Sequence, residues 1–130
     1  MRRTEGFTLL EVIVVMVIIA IIAGIAIPSY LNYIDRAKVR VAQSDMLSLA
    51  AVVENTRQRT LSYPTGDGVE QFSSWHPSSK SHDFAFDYAS DGTTYSITGT
   101  ADSGRISGCT LTLEEDNTRT VTEQCKVKEW

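Results

Sequence analysis

The sequence has no excess of positive charge, few histidines and few cysteines, and each shortage narrows what the chain can be. Lys and Arg number 12 against 16 Asp and Glu, a formal net charge of -4, so there is no cationic surplus with which to neutralise phosphates. That balance speaks against a nucleic-acid partner. No nucleophile-base pair, phosphate loop or metal cluster appears, so no catalytic residue is assigned and the chain is not read as an enzyme. The two histidines, His76 and His82, stand with Asp83 in an irregular stretch. Six residues apart and unsupported by further His or Cys ligands, they make no metal site, and no cofactor is expected. The two cysteines, Cys109 and Cys125, both fall in the last quarter and read as one C-terminal loop closed in an oxidising compartment.

What the sequence does have is a long apolar run near its start. Val12 to Ile27 is sixteen residues without a polar side chain, and Phe7 to Ile27 is twenty-one interrupted only by Thr8 and Glu11. About 20 residues suffice to span a bilayer as a helix. Arg2 and Arg3 precede the run and the cysteines follow it, which predicts a cytoplasmic N-terminus and an external remainder. The run continues through Ile27-Pro28-Ser29-Tyr30 with no small-residue cleavage pattern behind it. Set that segment aside, and 130 residues hold at most one compact domain. Glu11 is what a plain anchor does not explain, because a carboxylate facing hydrocarbon costs several kcal/mol and calls for a cationic partner.

The string Gly6-Phe7-Thr8-Leu9-Leu10-Glu11 resembles the type III signal of type IV pilins and related pseudopilins. The resemblance implies cleavage between Gly6 and Phe7 by a prepilin peptidase and N-methylation of Phe7. The new positive terminus at Phe7 then lies about 6 Å along a helix axis from Glu11. In a filament of staggered parallel helices, the resemblance implies that Glu11 of one subunit meets the Phe7 amine of its neighbour, which sets the register. Pro28 removes the hydrogen bond to the Gly24 carbonyl, and Gly24 weakens the same turn. Two readings stand: a bend where the helix leaves the membrane, or, as the family implies, a segment from Ala23 to Pro28 that unwinds when subunits pack.

Beyond Pro28 the pattern becomes amphipathic. Val39, Ala42, Met46, Leu49 and Val53 recur at helical spacing, while Asp35, Arg36, Lys38, Arg40, Gln43, Asp45, Glu54 and Arg57 keep to other angles. A helix from Phe7 to about Thr60 would be roughly 80 Å long. The stretch 61–82 reads as a loop wrapping the surface. From Asp83 the period becomes two: Phe84, Phe86 and Tyr88, a turn at Ser90-Asp91-Gly92, then Tyr95 and Ile97. A second pair follows with Leu111 and Leu113, a turn at Asp116-Asn117, and Val121. Cys109 and Cys125 bracket this second hairpin, and closing such a loop is worth roughly 3 kcal/mol.

The expected fold is α+β: a long N-terminal helix, half apolar and half amphipathic, packed against an antiparallel sheet of about four strands, as in the pilin family. The expected parts are a removable leader at 1–6, an assembly helix at 7–28, an amphipathic helix at 29–60, a loop at 61–82 and a disulfide-closed sheet at 83–130. The resemblance implies a type IV pilus subunit, in particular a minor pilin, used for adhesion, motility or DNA uptake. Such a subunit sits in the inner membrane with its head in the periplasm and then enters a surface filament. Its partners would be other pilin subunits, the peptidase and methyltransferase, the inner-membrane assembly platform, and membrane lipid before assembly. The alternatives are a type II secretion pseudopilin and a single-pass anchored periplasmic domain. Asp87, Asp91, Asp102, Glu114, Glu115 and Asp116 could supply oxygen ligands to calcium but are scattered and read as solvated. A DNA-uptake subunit would need a basic stripe, and the four basic residues from Arg105 onward face five acids.

Overall fold

The structure is a computed structural model that describes residues 6–78 and 83–130; Arg2, Arg3 and His82 lie outside the described residues. It divides into two compact units, Met1–Tyr33 and Ile34–Trp130. One helix, α1 (Leu9–Thr60, 52 residues), passes through both. Thr8 caps its start, its Oγ1 accepting the Glu11 backbone N–H at 3.2 Å. Arg57 and Arg59 occupy the last turn, where cations oppose the negative end of the helix dipole. The chain then leaves through Leu61, at φ 63°.

In the first unit the large apolar side chains from Phe7 to Ile27 are all exposed. Helical structure continues unbroken through Gly24 and Pro28.

In the second unit, Val39, Ala42, Met46, Leu49 and Val53 are fully buried. Each contributes about 1.5–3 kcal/mol through area removed from water, less for the alanine. They belong to one core with the inward side chains of a five-stranded antiparallel meander: β1 (Gly66–Asp67), β2 (Ala85–Ser90), β3 (Tyr95–Thr100), β4 (Thr110–Glu114) and β5 (Arg119–Val121), in that spatial order. The register places Tyr88, Ile97 and Leu113 in one row and Phe86, Gly99, Leu111 and Val121 in the next. Gly99 is where a side chain would not fit, since a Cβ there would lie 3.1 Å from both Met46 Sδ and the Phe86 ring.

Three features go beyond the sequence reading. The stretch 61–82 contributes a fifth, two-residue edge strand, β1. Its aromatic residues also pin it down: Trp75 Nε1 donates to the Asp45 carbonyl at 3.1 Å and to Ser48 Oγ at 2.8 Å, and Phe72 meets Tyr88 edge to face. Asp35 and Asp45, placed by periodicity away from the apolar face, are buried. Asp45 accepts the Ser78 N–H at 2.8 Å, which repays part of the cost of removing its carboxylate from water.

Asp91 Oδ1 accepts the N–H groups of Thr93 and Thr94 in the β2–β3 turn, and Gly92 takes φ 90°. In the β4–β5 turn Asn117 adopts φ 66°, a conformation asparagine tolerates better than most residues. A disulfide joins Cys109 and Cys125 across a separation of 16 residues.

Gly99→Val should destabilise the protein by about 1–3 kcal/mol through overpacking against Met46 and Phe86, read as a lowered urea midpoint. Unreduced native protein should hold no alkylatable thiol by mass analysis.

Candidate functional site

The first functional region is the start of α1. Gly6, Phe7 and Thr8 precede the helix in irregular structure, and Phe7 is 85% exposed. Glu11 is the third helical residue after the Thr8 cap, so Thr8-Leu9-Leu10-Glu11 has the residue types and spacing of a capping box. The sequence reading passed over this pattern, although Thr-x-x-Glu before an apolar run is its signal. Glu11 therefore sits where a negative charge is favoured by the helix dipole, four residues after Phe7. From there to Ile27 the helix is long and apolar enough to cross a membrane, and none of its most hydrophobic stretch is buried. Gly24 has open space where a Cβ would be.

The second region lies in the head. Asp35, 5% exposed, is held by two cations on one oxygen: Lys126 Nζ at 2.7 Å and Arg105 Nε at 3.0 Å from Oδ2. Lys126 directly follows the disulfide cysteine and takes a left-handed conformation, φ 56°. A residue early in the head helix thus fastens the 3-10 turn at Gly104–Ile106 and the C-terminal segment. The contact joins positions 70 and 91 residues apart, and no local pattern could reveal it. The hydrogen bond from Lys126, followed by that from Arg105, holds the Asp35 carboxyl below its ordinary value against the opposing effect of burial.

Three of the remaining candidate residues serve local structure. Asp83 binds Lys38 at 2.6 Å instead of joining His76. Asp91 and Asp116 each accept turn N–H groups through Oδ1. Among the described residues no three His, Cys, Asp or Glu side chains group as metal ligands.

A count from Arg105 onward does not include the cations that α1 brings beside the C-terminal ones. Lys126 and Lys128 line one groove of about 360 Å³ with Arg36 and Arg40 of α1. Folding therefore gathers cations that the linear sequence disperses.

The folded-state pKa of Asp35 lies below its ordinary 3.8, so its contribution to stability is in place above about pH 4 and is lost as pH falls through the lower folded value. Asp35→Asn should lower stability by about 2 kcal/mol at pH 7, the order of a hydrogen bond to a charged group. The gap to wild type should narrow as the pH falls below the ordinary 3.8. Urea melts at pH 7, 4 and 2.5 check this.

Comparison with known proteins places these features. Residues 1–27 match the family model described as prokaryotic N-terminal methylation motif, and residues 28–113 match that described as type IV minor pilin ComP, DNA uptake sequence receptor. Type II secretion system core protein G of Pseudomonas aeruginosa is 39% identical over 70 residues, covering 53% of this chain and 49% of that protein. A fimbrial protein of Moraxella nonliquefaciens is 37% identical over 75 residues, covering 54% and 49%. A fimbrial protein of Pseudomonas aeruginosa is 35% identical over 86 residues, covering 66% and 51%. The chain thus spans about half the length of the curated relatives it matches. No solved structure gives a significant match. With the methylation motif ahead of its apolar helix, and the matching model reaching from the end of that apolar run to the end of β4, the chain belongs to the type IV minor pilin ComP family.

Proposed function

We infer that this chain is cut after Gly6 by a prepilin peptidase, N-methylated at Phe7, held in the inner membrane by its apolar helix, and then built into a surface filament with other pilin subunits. The observation that supports this most is the uncovered apolar surface from Phe7 to Ile27, which carries a single carboxylate near its capped start. Lipid can cover that surface before assembly, and parallel helices of neighbouring subunits can cover it afterwards. In lipid alone Glu11 stays costly. In a staggered bundle it gains the Phe7 amine of a neighbour, and because an unmatched charge in a low-dielectric core is penalised, one stagger is selected over others.

Gly24 and Pro28 fit the same sequence of events. Pro28 supplies no N–H to the helix and Gly24 favours helix weakly, so the segment between them is the least costly place for α1 to unwind during packing. The assembly platform and the peptidase are the further partners this route requires, with the N-terminus cytoplasmic and the head periplasmic before extraction.

A second reading follows from the description of the matching family, which names a DNA uptake sequence receptor. With a net charge of -4, DNA binding by this chain would depend on a local cationic surface. The secretion pseudopilin alternative rests on similarity to core protein G over 70 residues. The match of residues 28–113, which includes most of the head, favours the pilus.

Glu11→Ala should leave the protein in the membrane but reduce its amount in filaments sheared from the cell surface by tenfold or more. Wild-type incorporation of that variant would reject the register role.

A further inference from the structure

The head carries opposite charge at its two ends. At one end, Arg36 and Arg40, one turn apart on α1, line a groove with Gln43, Lys126, Lys128 and Glu129. Lys126 is committed to Asp35, whereas Arg36, Arg40 and Lys128 have no ion pair among the described residues. Gln43 Nε2 is buried without a hydrogen-bond partner. Three cations against the single carboxylate of Glu129 leave the groove short of negative charge.

At the other end, Asp67, Asp91, Glu114 and Glu115 line a second groove, of about 520 Å³. Its position follows from Tyr95, which also lines it and packs edge to face on Tyr63, 4.8 Å between centroids. Tyr63 comes just after the end of α1 and donates its N–H to the Gly92 carbonyl at 3.0 Å. The cationic groove begins at Arg36 and the acidic one lies by the end of the helix at Thr60, so the two are about 36 Å apart along the axis at 1.5 Å per residue. Of the two cations in the last turn of α1, Arg57 and Arg59, Arg57 is occupied by Glu54 and by the Tyr63 ring.

Parallel subunits stacked with a stagger bring unlike ends of successive heads together, a heterologous contact whose two surfaces must complement each other. We propose that the groove formed by Arg36, Arg40 and Lys128 is a socket for carboxylates on the acidic end of a neighbouring pilin head. This inference rests on the filament reading and assigns to the head a contact separate from helix packing. Its chemistry favours side-chain carboxylates over a phosphate chain: the groove is short, Glu129 stands in its wall, and the chain's own acidic end shows what a pilin head can present. The carboxylates also supply the acceptor that the Gln43 amide lacks, once its side chain rotates.

The test uses full-length protein in piliated cells lacking the native gene. Sheared filaments are treated with a carbodiimide, which joins a lysine amine to a carboxylate in contact as an amide with loss of water, and the linked peptides are mapped by mass spectrometry. Lys38 with Asp83 and Lys126 with Asp35, at 2.6 and 2.7 Å, provide links within the chain as controls. The expected result is Lys128 joined to an Asp or Glu in the head of an adjacent pilin. Alongside it, Arg36→Glu with Arg40→Glu should lower the chain in filaments tenfold or more, while membrane abundance and the Cys109–Cys125 bond stay unchanged. The single exposed change Lys128→Glu should act in the same direction if the double variant fails to fold.

Wild-type incorporation of these variants, or Lys128 linked only within its own chain, would overturn the proposal. Normal incorporation combined with loss of DNA retained on filaments would overturn it too and make the groove a nucleic-acid surface. A wild-type chain absent from sheared filaments would remove the filament reading, and this inference with it.

Discussion

The apolar surface from Phe7 to Ile27 is the constraint on which the biology of this chain depends. A surface of Ile, Val, Leu and Met on every side of a helix cannot remain in water, and among the described residues of its unit none covers it. The hydrophobic effect therefore fixes its surroundings as lipid or other helices. Because both exclude water, the exchange from one to the other involves little change in apolar burial. On the proposed filament route the direction of assembly comes from specific contacts, and Glu11 is the one charged side chain along this stretch.

The head answers a different demand. Its half of α1 has a single apolar stripe, and the stripe and sheet complete each other, with Met46 resting where Gly99 leaves room. The disulfide, the Asp35 cluster and the C-terminal segment then secure the last hairpin. Val127 and Trp130 pack against the same core, and the Trp130 ring lies under the Arg119 guanidinium. The segment after Cys125 is thus part of the head's structure.

Much of this was legible in the sequence because it is written in local periodicity. Five positions from Val39 to Val53 mark the buried face of α1, and alternation from Phe84 to Ile97 and from Leu111 to Val121 marks four of the five strands. Cys109 and Cys125, the only two cysteines, gave the disulfide. What was missed depends on distance or on hydrogen bonds that periodicity does not carry. Asp35 and Asp45 look like solvent positions on a helical wheel, yet they are buried because Lys126, Arg105 and the Ser78 N–H reach them from remote segments. The edge strand at Gly66–Asp67 has only two residues, too few to show a period. The cationic groove draws on both the helix and the C-terminal segment, so a count along either alone does not find it.

The central claim is that the uncovered helix belongs in a processed filament subunit. The most direct measurement is the intact mass and N-terminal sequence of this protein in a fraction sheared from the cell surface. The account predicts a chain that begins at N-methylated Phe7, with Gly6 and everything before it removed. A chain that still begins at Met1 and is confined to the inner membrane would contradict it, and would leave a simple single-pass anchor in its place.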